Sequence, residues 1–281
     1  MKISIITVVY NAVETIEQTI RSILMQTFDD KEYIIIDGGS TDGTLDIIKK
    51  YSSDLFYISE PDKGIYDAMN KGIDIAKGEY CFFLGADDGL SAANILENIS
   101  LELTPEVDVL TGFVWIVNEQ SHRQYLYGNN YGRSKSDDLV KGGIMAHHQG
   151  LFVKSEIMKK HKFDISYKIA ADYKLLLELW LNPNYVVKKT NQIISFFSNA
   201  GVGSVYFQKR FEEHKQIVEA LPLDKLVKKE LLHTNFKWKF IQMIKRILQV
   251  LGVWEILNAF RKQDVMHKCS WKSCRWCEHE K

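Results

Sequence analysis

No stretch of this chain approaches the ~18 consecutive apolar residues of a membrane-spanning helix, so an integral membrane protein is not expected. Cysteine is scarce. Three of the four cysteines (Cys269, Cys274, Cys277) crowd the last thirteen residues, and Cys81 stands alone in an apolar run. That spacing makes no disulfide framework, and a reducing cytoplasm is the expected compartment. Nor is a leader peptide expected: residues 1–10 carry one positive charge and an apolar run, but the run is short and β-branched, and no small-residue cleavage site follows. Lys+Arg and Asp+Glu both total 36, so net charge offers no argument for nucleic acid as a partner. Two phosphate-binding signatures are absent as well. The turn after the first strand reads Tyr10-Asn-Ala-Val-Glu14, with no glycine to let a backbone approach a pyrophosphate, and Gly-Lys-Ser/Thr occurs nowhere. A dinucleotide fold and a P-loop are both excluded. Any phosphate must be held through metal. Internal repeats and low-complexity linkers are also lacking.

What is present is an α/β alternation. Residues 3–9 and 33–37 read as buried strands, 14–26 carries Ile16, Ile20, Ile23 and Leu24 at helical spacing, and 44–51 reads as a second helix. A third strand is expected at 56–59, a helix at 62–77 and a fourth strand at 80–84. Strand, helix, strand, helix implies a mostly parallel sheet with helices on both faces. In such sheets ligands sit beyond the carboxyl ends of the strands, where Asn11, Asp37 and Asp87-Asp88 fall. After Asp108 the alternation weakens. Antiparallel strands are expected at 109–118 and 123–127, a polar excursion at 128–143, and a strand at 150–153. A helix at 170–181, strand material at 185–197 and two further helices within 206–221 and 225–261 complete the pattern.

Charge is unevenly distributed. Residues 1–108 hold 20 acidic and 8 basic side chains, whereas 236–262 holds six basic residues and only Glu255. Adjacent carboxylates at a strand end raise each other's pKa unless a cation joins them. Mg²⁺ or Mn²⁺ suits hard oxygen ligands, with substrate phosphates completing the shell. The alternative is an Asp-Asp turn capping a helix at Ser91. The strand-end position favours the metal.

Ile5-Ile-Thr-Val-Val-Tyr-Asn11, Ile35-Ile-Asp-Gly-Gly-Ser-Thr-Asp-Gly43, Glu60-Pro-Asp-Lys-Gly-Ile-Tyr-Asp-Ala-Met-Asn-Lys-Gly72 and Leu84-Gly-Ala-Asp-Asp88 resemble the successive signatures of family 2 glycosyltransferases. A weaker similarity continues to about residue 204. The resemblance implies a GT-A fold and an inverting transfer from a nucleotide sugar. It places Thr7, Val9 and Asn11 beside the donor nucleoside and makes Asp37 the acceptor of a base N–H, most often of uracil. Asp87 would lie near the ribose or metal-bound phosphates, Asp88 would ligate Mn²⁺ or Mg²⁺, and Lys63 would offset charge on the diphosphate. Asp62, Asp67 and Asn70 share the third motif, with helix-capping and solvated-face readings equally open.

Inversion also needs a base for the acceptor hydroxyl. The family usually has an acidic pair at a helix start; here Asp172 matches the second acid and Ala171 departs from the first, so Asp172 is the one candidate base, although the first turn of a helix favours an acid in any case. His147, His148 and Gln149 stand where the acceptor pocket of the family would lie. Neutral imidazole there could ligate metal or bind sugar hydroxyls.

Three regions follow: a GT-A-like catalytic domain at 1–205 (nucleotide-sugar half 1–108, acceptor half 109–205), a helical extension at 206–262, and a Cys/Trp-rich tail at 263–281. Basic residues mixed with Trp and aliphatics at 236–252 suit a helix lying in an anionic membrane interface, or equally one docked on protein. The tail's Cys269, Cys274, Cys277 and His279 form a Cys₃His count without the usual loop between ligand pairs, so reduced thiols are expected there. The expected activity is transfer of a hexose or N-acetylhexosamine from a UDP-sugar to a glycan or polyprenyl-linked glycan in cell-surface polysaccharide assembly, in the cytoplasm or on the inner face of the membrane. The alternatives are a nucleotidyltransferase, whose glycine-rich basic loop is missing, and a sugar-nucleotide or glycan-binding module on a decayed transferase domain.

Overall fold

A computed structural model describes residues 2–118, 123–128, 147–198 and 207–250. The greater part of the 128–143 excursion, the 205 boundary, residues 251–262 and the 263–281 tail with its cysteines lie outside the described residues. Among the described residues nine strands form one sheet, in the order β3-β2-β1-β4-β8-β6-β9-β5 with β7 on β6.

The first half follows from the β-branched runs. β1 (Ile3–Val9) lies between β2 (Lys31–Asp37) and β4 (Tyr80–Phe83), parallel to both, and β2 pairs parallel with β3 (Phe56–Ser59). Covered on both faces, these strands need no polar alternation. α1 (Ile16–Leu24), α2 (Thr44–Lys50) and α4 (Ile95–Glu102) pack one face. α3 (Ile65–Ile75), α5 (Ser155–His161) and α6 (Ala171–Leu181) pack the other. Ile16, Ile20 and Ile23 of α1 are completely buried. Each such side chain contributes about 1.5–3 kcal/mol by burial, and Ile20→Ala would cost about 2–5 kcal/mol.

The second half mixes directions. β8 (Leu151–Lys154) runs antiparallel to β4, β6 (Val109–Asn118) runs antiparallel to both β8 and β7 (Arg123–Tyr127), and β9 (Val187–Ser198) runs parallel to β6 and antiparallel to the short β5 (Gly89–Leu90). Parallel pairing thus dominates 1–83 and mixed pairing follows, as the loss of alternation predicts.

α7 (Phe207–Ala220) belongs to the same core. Ile217 and Val218 are completely buried in the α3–α6 cluster, and His214 stacks on Tyr173 of α6 with centroids 4.0 Å apart. Among the described residues only α8 (Lys225–Val250) leaves the body of the protein: Leu231 is buried, but Phe236, Trp238, Phe240, Ile241, Met243, Ile244 and Ile247 are all exposed.

Candidate active site

The parallel register brings Val9, Asp37 and Ser59 level at the strand ends. Asp37 is completely buried there. Its Oδ1 accepts the Ser40 hydroxyl at 2.5 Å, its Oδ2 accepts the Ser59 hydroxyl at 2.6 Å, and the Ser40 N–H lies 3.2 Å from both. Asn11, in the left-handed region at φ 50°, donates its backbone N–H to Ser40 Oγ and accepts the Thr41 N–H on Oδ1. Asp37 and Asn11 therefore shape the 38–43 turn. A Cβ on Gly38 would lie 2.5 Å from Asp62 Oδ2 and 3.5 Å from the Tyr10 ring, so only glycine lets that ring and that carboxylate converge over the turn. Tyr10 is 65% exposed. Thr7 and Val9 sit beneath this surface: Thr7 Oγ1 accepts the Tyr33 hydroxyl at 3.2 Å, and both side chains face the α1 side of the core.

The acidic pair follows β4. Asp88 is completely buried, and three donors hold it: Gly85 N–H and Gln149 Nε2–H on Oδ2, both at 3.0 Å, and Ser198 N–H on Oδ1 at 3.1 Å. Burial and the charge of Asp87 push its carboxyl well above the usual range, against the pull of those donors. Neither acid caps α4, whose N-cap position is Asn94. Thr19 of α1 pins the loop, donating its hydroxyl to the carbonyl of Asp88 at 2.7 Å and of Ala86 at 3.0 Å. A Cβ on Gly85 would meet Asp88 Oδ2 at 2.5 Å, so the carboxylate can fold back only over glycine. Asp87 is partly exposed.

One turn of 3₁₀ helix (His148–Gly150) links this pair to the candidate base. Gln149 is buried, with Oε1 facing His147 Nδ1 and Nε2 donating to Asp88. The network fixes the roles: His147 donates from Nδ1, which turns the amide nitrogen of Gln149 toward the carboxylate. Burial and the neighbouring His148 push His147 down to about 4, so it is neutral. The next side chain, His148, places Nδ1 3.3 Å from Asp172 Oδ2. That contact is off the line of a full hydrogen bond, and the buried Nδ1 has no aligned partner. Asp172 Oδ1 accepts the Tyr66 hydroxyl at 3.0 Å and the Tyr173 N–H at 2.9 Å. Burial would raise the Asp172 carboxyl, but His148 and the Tyr66 hydroxyl outweigh it and hold the group at about 2.

α7 fastens the start of α6. Buried Glu213 accepts the backbone N–H groups of Lys168 at 3.0 Å, Ile169 at 2.8 Å and Ala170 at 3.0 Å, supplying the negative charge that a helix N-terminus favours. The charge of Arg210, on the preceding turn of α7, acts on Asp172.

The structure thus brings together Asp87, Asp88, His147, His148, Gln149 and Asp172 on one side, and Asn11 and Asp37 on the other. Lys63 is exposed at the start of α3. Its neighbours do local work: Asp67 accepts the Lys63 N–H at 3.0 Å, Asp62 accepts the Gly64 N–H at 2.7 Å, and Asn70 exchanges two 2.8 Å bonds with the Phe163 backbone. Sequence reasoning missed Tyr10, Thr19, Tyr66 and Glu213. Thr19 alone left a local signal, as a hydroxyl at a core position of an amphipathic helix.

A divalent cation fits the acidic pair. Asp88 offers a carboxylate whose burial disfavours an uncompensated charge, and three donors leave capacity on Oδ1, since a carboxylate has about four acceptor sites. Asp87 is the accessible partner. Among the described residues no three His, Cys, Asp or Glu side chains cluster as a metal cage.

The family model for glycosyl transferase family 2 matches residues 4–159. The chain belongs to that family. This glycosyltransferase is 30% identical over 217 residues, covering 74% of its own chain and 81% of the relative, to the PGL/p-HBAD biosynthesis glycosyltransferase of Mycobacterium bovis. It is 36% identical over 94 residues, 32% of its chain and 26% of the relative, to the cholesterol galactosyltransferase of Borreliella burgdorferi. S. aureus TarS in complex with UDP-GlcNAc superposes with a TM-score of 0.62 at 19% identity, covering 84% of this chain and 72% of that one. The mannosyltransferase PcManGT of Pyrobaculum calidifontis, in complex with GDP-Man and Mn²⁺, superposes with a TM-score of 0.62 at 18% identity, covering 83% and 68%. The fold of the glycosyltransferase is therefore GT-A.

Proposed function

We propose that this glycosyltransferase moves a hexose or N-acetylhexosamine, with inversion, from a UDP-sugar to a glycan or polyprenyl-linked glycan acceptor in cell-surface polysaccharide assembly. The observation that carries the reading is the single turn in which Gln149 bonds Asp88 and the adjacent His148 lies 3.3 Å from Asp172, which sets a donor-side carboxylate pair and a separate carboxylate on either side of it. The nucleoside lies over Gly38, on the exposed Tyr10 ring and beside Asn11, and the base N–H replaces one of the hydroxyl donors now on Asp37. Thr7 and Val9 support that floor from inside the core.

Asp88 would hold Mn²⁺ or Mg²⁺, with Asp87 beside the ribose or the metal-bound phosphates, and the ion would offset charge on the departing diphosphate. Lys63 adds a cation at the crevice mouth. Asp172 takes the acceptor's proton as the general base, and His147, His148 and Gln149 line the acceptor side. UDP-GlcNAc bound to TarS and GDP-Man with Mn²⁺ bound to PcManGT support a nucleotide-sugar donor, and the mycobacterial relative's name, a PGL/p-HBAD biosynthesis glycosyltransferase, supports a biosynthetic transfer. Thermal unfolding against UDP- and GDP-sugars, each with and without Mn²⁺, tests the donor. A ligand at 100 times its Kd stabilises by about 2.7 kcal/mol, and a metal-dependent upward shift with UDP-sugars is expected. The reading fails if no nucleotide sugar shifts the transition, and a response confined to GDP-sugars overturns the UDP assignment.

The exposed part of α8 supports a second proposal, that the helix lies on an anionic membrane surface at the cytoplasmic face. Among the described residues no helix is long and apolar enough to cross a membrane. Phe236, Phe240, Met243, Ile244 and Ile247 recur at helical spacing, Lys237 and Lys239 lie between them, and no acid occurs from 231 to 254. Such a helix lies in the headgroup boundary. Co-sedimentation with anionic but not neutral vesicles, lost on truncation after Asn235, is expected, whereas equal binding to both vesicle types would refute it.

A further inference from the structure

Resting on the transfer reading above, we propose that Arg210 binds a phosphate carried by the acceptor, and that the acceptor is a sugar joined through that phosphate to a hydrocarbon chain lying along the exposed part of α8. The starting point is the spacing of α7. Arg210, Glu213, His214 and Ile217 stand at the i, i+3, i+4 and i+7 positions of one helix face, and the last three are buried against the core. Glu213 holds the backbone N–H groups of 168–170 and His214 stacks on Tyr173, so the turn before them stands over the start of α6, where Asp172 lies. Helical side chains lean toward the N-terminus of their helix. The Arg210 guanidinium is thereby directed past Glu213 into the corner of the site.

It meets no counter-ion there. Among the described residues Arg210 makes no ion pair, and its Nε is buried without a hydrogen-bond partner. The nearest aromatic ring is that of its neighbour Phe211, 5.3 Å from the guanidinium carbon to the centroid. Its charge acts on Asp172 and Tyr127 and not on Asp87 or Asp88, so it stands on the acceptor side of the site and away from the metal side. A half-buried charge without a partner is costly in the free protein. The planar fork of a guanidinium pairs with phosphate through two parallel hydrogen bonds, so an anion arriving with the acceptor satisfies it.

The course of α8 indicates what that phosphate is attached to. Lys228 Nζ donates to the Glu219 carbonyl at 2.8 Å and Asn235 Nδ2 to the Phe211 carbonyl at 3.1 Å, so α8 runs back along α7 and is level with its first turn at Asn235. Phe211 adjoins Arg210. From the next residue onward α8 exposes Phe236, Phe240, Met243 and Ile244, with Lys237 and Lys239 among them. An apolar surface thus begins beside the turn that holds the guanidinium. A lipid-phosphate-linked sugar meets these groups in order: its hydroxyl at Asp172, its phosphate at Arg210 and its chain on α8. The donor's own diphosphate, or free phosphate, would leave that apolar surface unused.

The test uses the full chain saturated with UDP and Mn²⁺, which occupy the donor side, and titrates geranyl phosphate, geraniol and inorganic phosphate by calorimetry. Geranyl phosphate is expected to bind, and the other two far more weakly. Arg210→Gln should weaken geranyl phosphate by about 10–100-fold, the worth of hydrogen bonds to a charged group, while UDP affinity and Tm stay unchanged. Arg210→Lys keeps the charge without the fork and should lose less; it serves if the glutamine variant unfolds early. The proposal is overturned if the parent does not bind geranyl phosphate, if inorganic phosphate binds as tightly, or if Arg210→Gln binds geranyl phosphate as the parent does. A substitution that weakens UDP instead overturns it too, and gives Arg210 to the donor's diphosphate. A parent that binds no UDP in Mn²⁺, measured before any prenyl compound is added, fails the transfer reading itself.

Discussion

Asp172→Asn separates chemistry from binding because the structure confines the carboxylate's partners to one corner of the site. The asparagine carbonyl can keep the Tyr66 hydroxyl and the Tyr173 N–H, now at 3.0 and 2.9 Å, while the amide nitrogen meets His148 Nδ1 donor to donor. The proton-transfer step then loses its carboxylate. General-base catalysis contributes about 10²–10⁴-fold, or about 2.7–5.4 kcal/mol at 1.36 kcal/mol per decade. Stability falls too. A carboxyl held at about 2 against an ordinary 3.8 stabilises the fold by about 2 kcal/mol at neutral pH. The sign follows from the lowered value: the contribution is complete above the unfolded pKa and disappears as pH falls from about 4 toward 2. A chain of this size should lose about 4–8 °C in Tm. Donor binding should survive, since Asp88 is held by Gly85, Gln149 and Ser198 and by no atom of Asp172. The assay is nucleotide release with acceptor present, beside calorimetric titration of UDP with Mn²⁺. Turnover within tenfold of the parent, at unchanged UDP affinity, would refute the reasoning.

Three further outcomes are expected. Gly85→Ala puts a methyl 2.5 Å from Asp88 Oδ2; overpacking costs about 1–3 kcal/mol, and the Mn²⁺-dependent thermal shift by UDP should vanish, whereas an intact shift would show that Asp88 is not the metal-side ligand. Glu213→Ala strips acceptors from three backbone N–H groups at the start of α6, so a loss of about 2–4 kcal/mol in urea unfolding and a fall in kcat are expected; an unchanged midpoint would show that water replaces the carboxylate without cost. His214 is buried, and burial with Arg210 nearby holds it down at about 3. The unfolded chain binds that proton below about 6.5 and the folded chain does not, so stability should drop by up to about 1.4 kcal/mol per pH unit from 6.5 downward. His214→Phe, which keeps the stack on Tyr173, should flatten that slope between pH 6.5 and 4.5.

Much of this protein was legible along the chain. β-branched runs at 3–9 and 33–37, the helical spacing of Ile16, Ile20 and Ile23, and four ordered motifs determine a sheet covered on both faces with polar groups at its carboxyl edge, because hydrophobic periodicity and strand direction are local properties. Strand direction put Asp87 and Asp88 at the carboxyl edge and the family resemblance pointed to Asp172, without showing what holds each. Tyr66 and Asp172 are 106 positions apart, Gln149 and Asp88 are 61 apart, and Glu213 lies 43 beyond Ala170. No periodicity reports such pairs, since they meet only when α3, the 3₁₀ turn and α7 close on one corner of the sheet. Tertiary structure also decided which acids face inward: Asp37 and Asp88 are completely buried and held by donors, while Asp62 and Asp87 stay near the surface. The sequence determined that carboxylates stand at the strand ends. Burial and the donors that arrive from distant segments decided which of them anchors a loop, which is buried against Gln149 and which faces an imidazole.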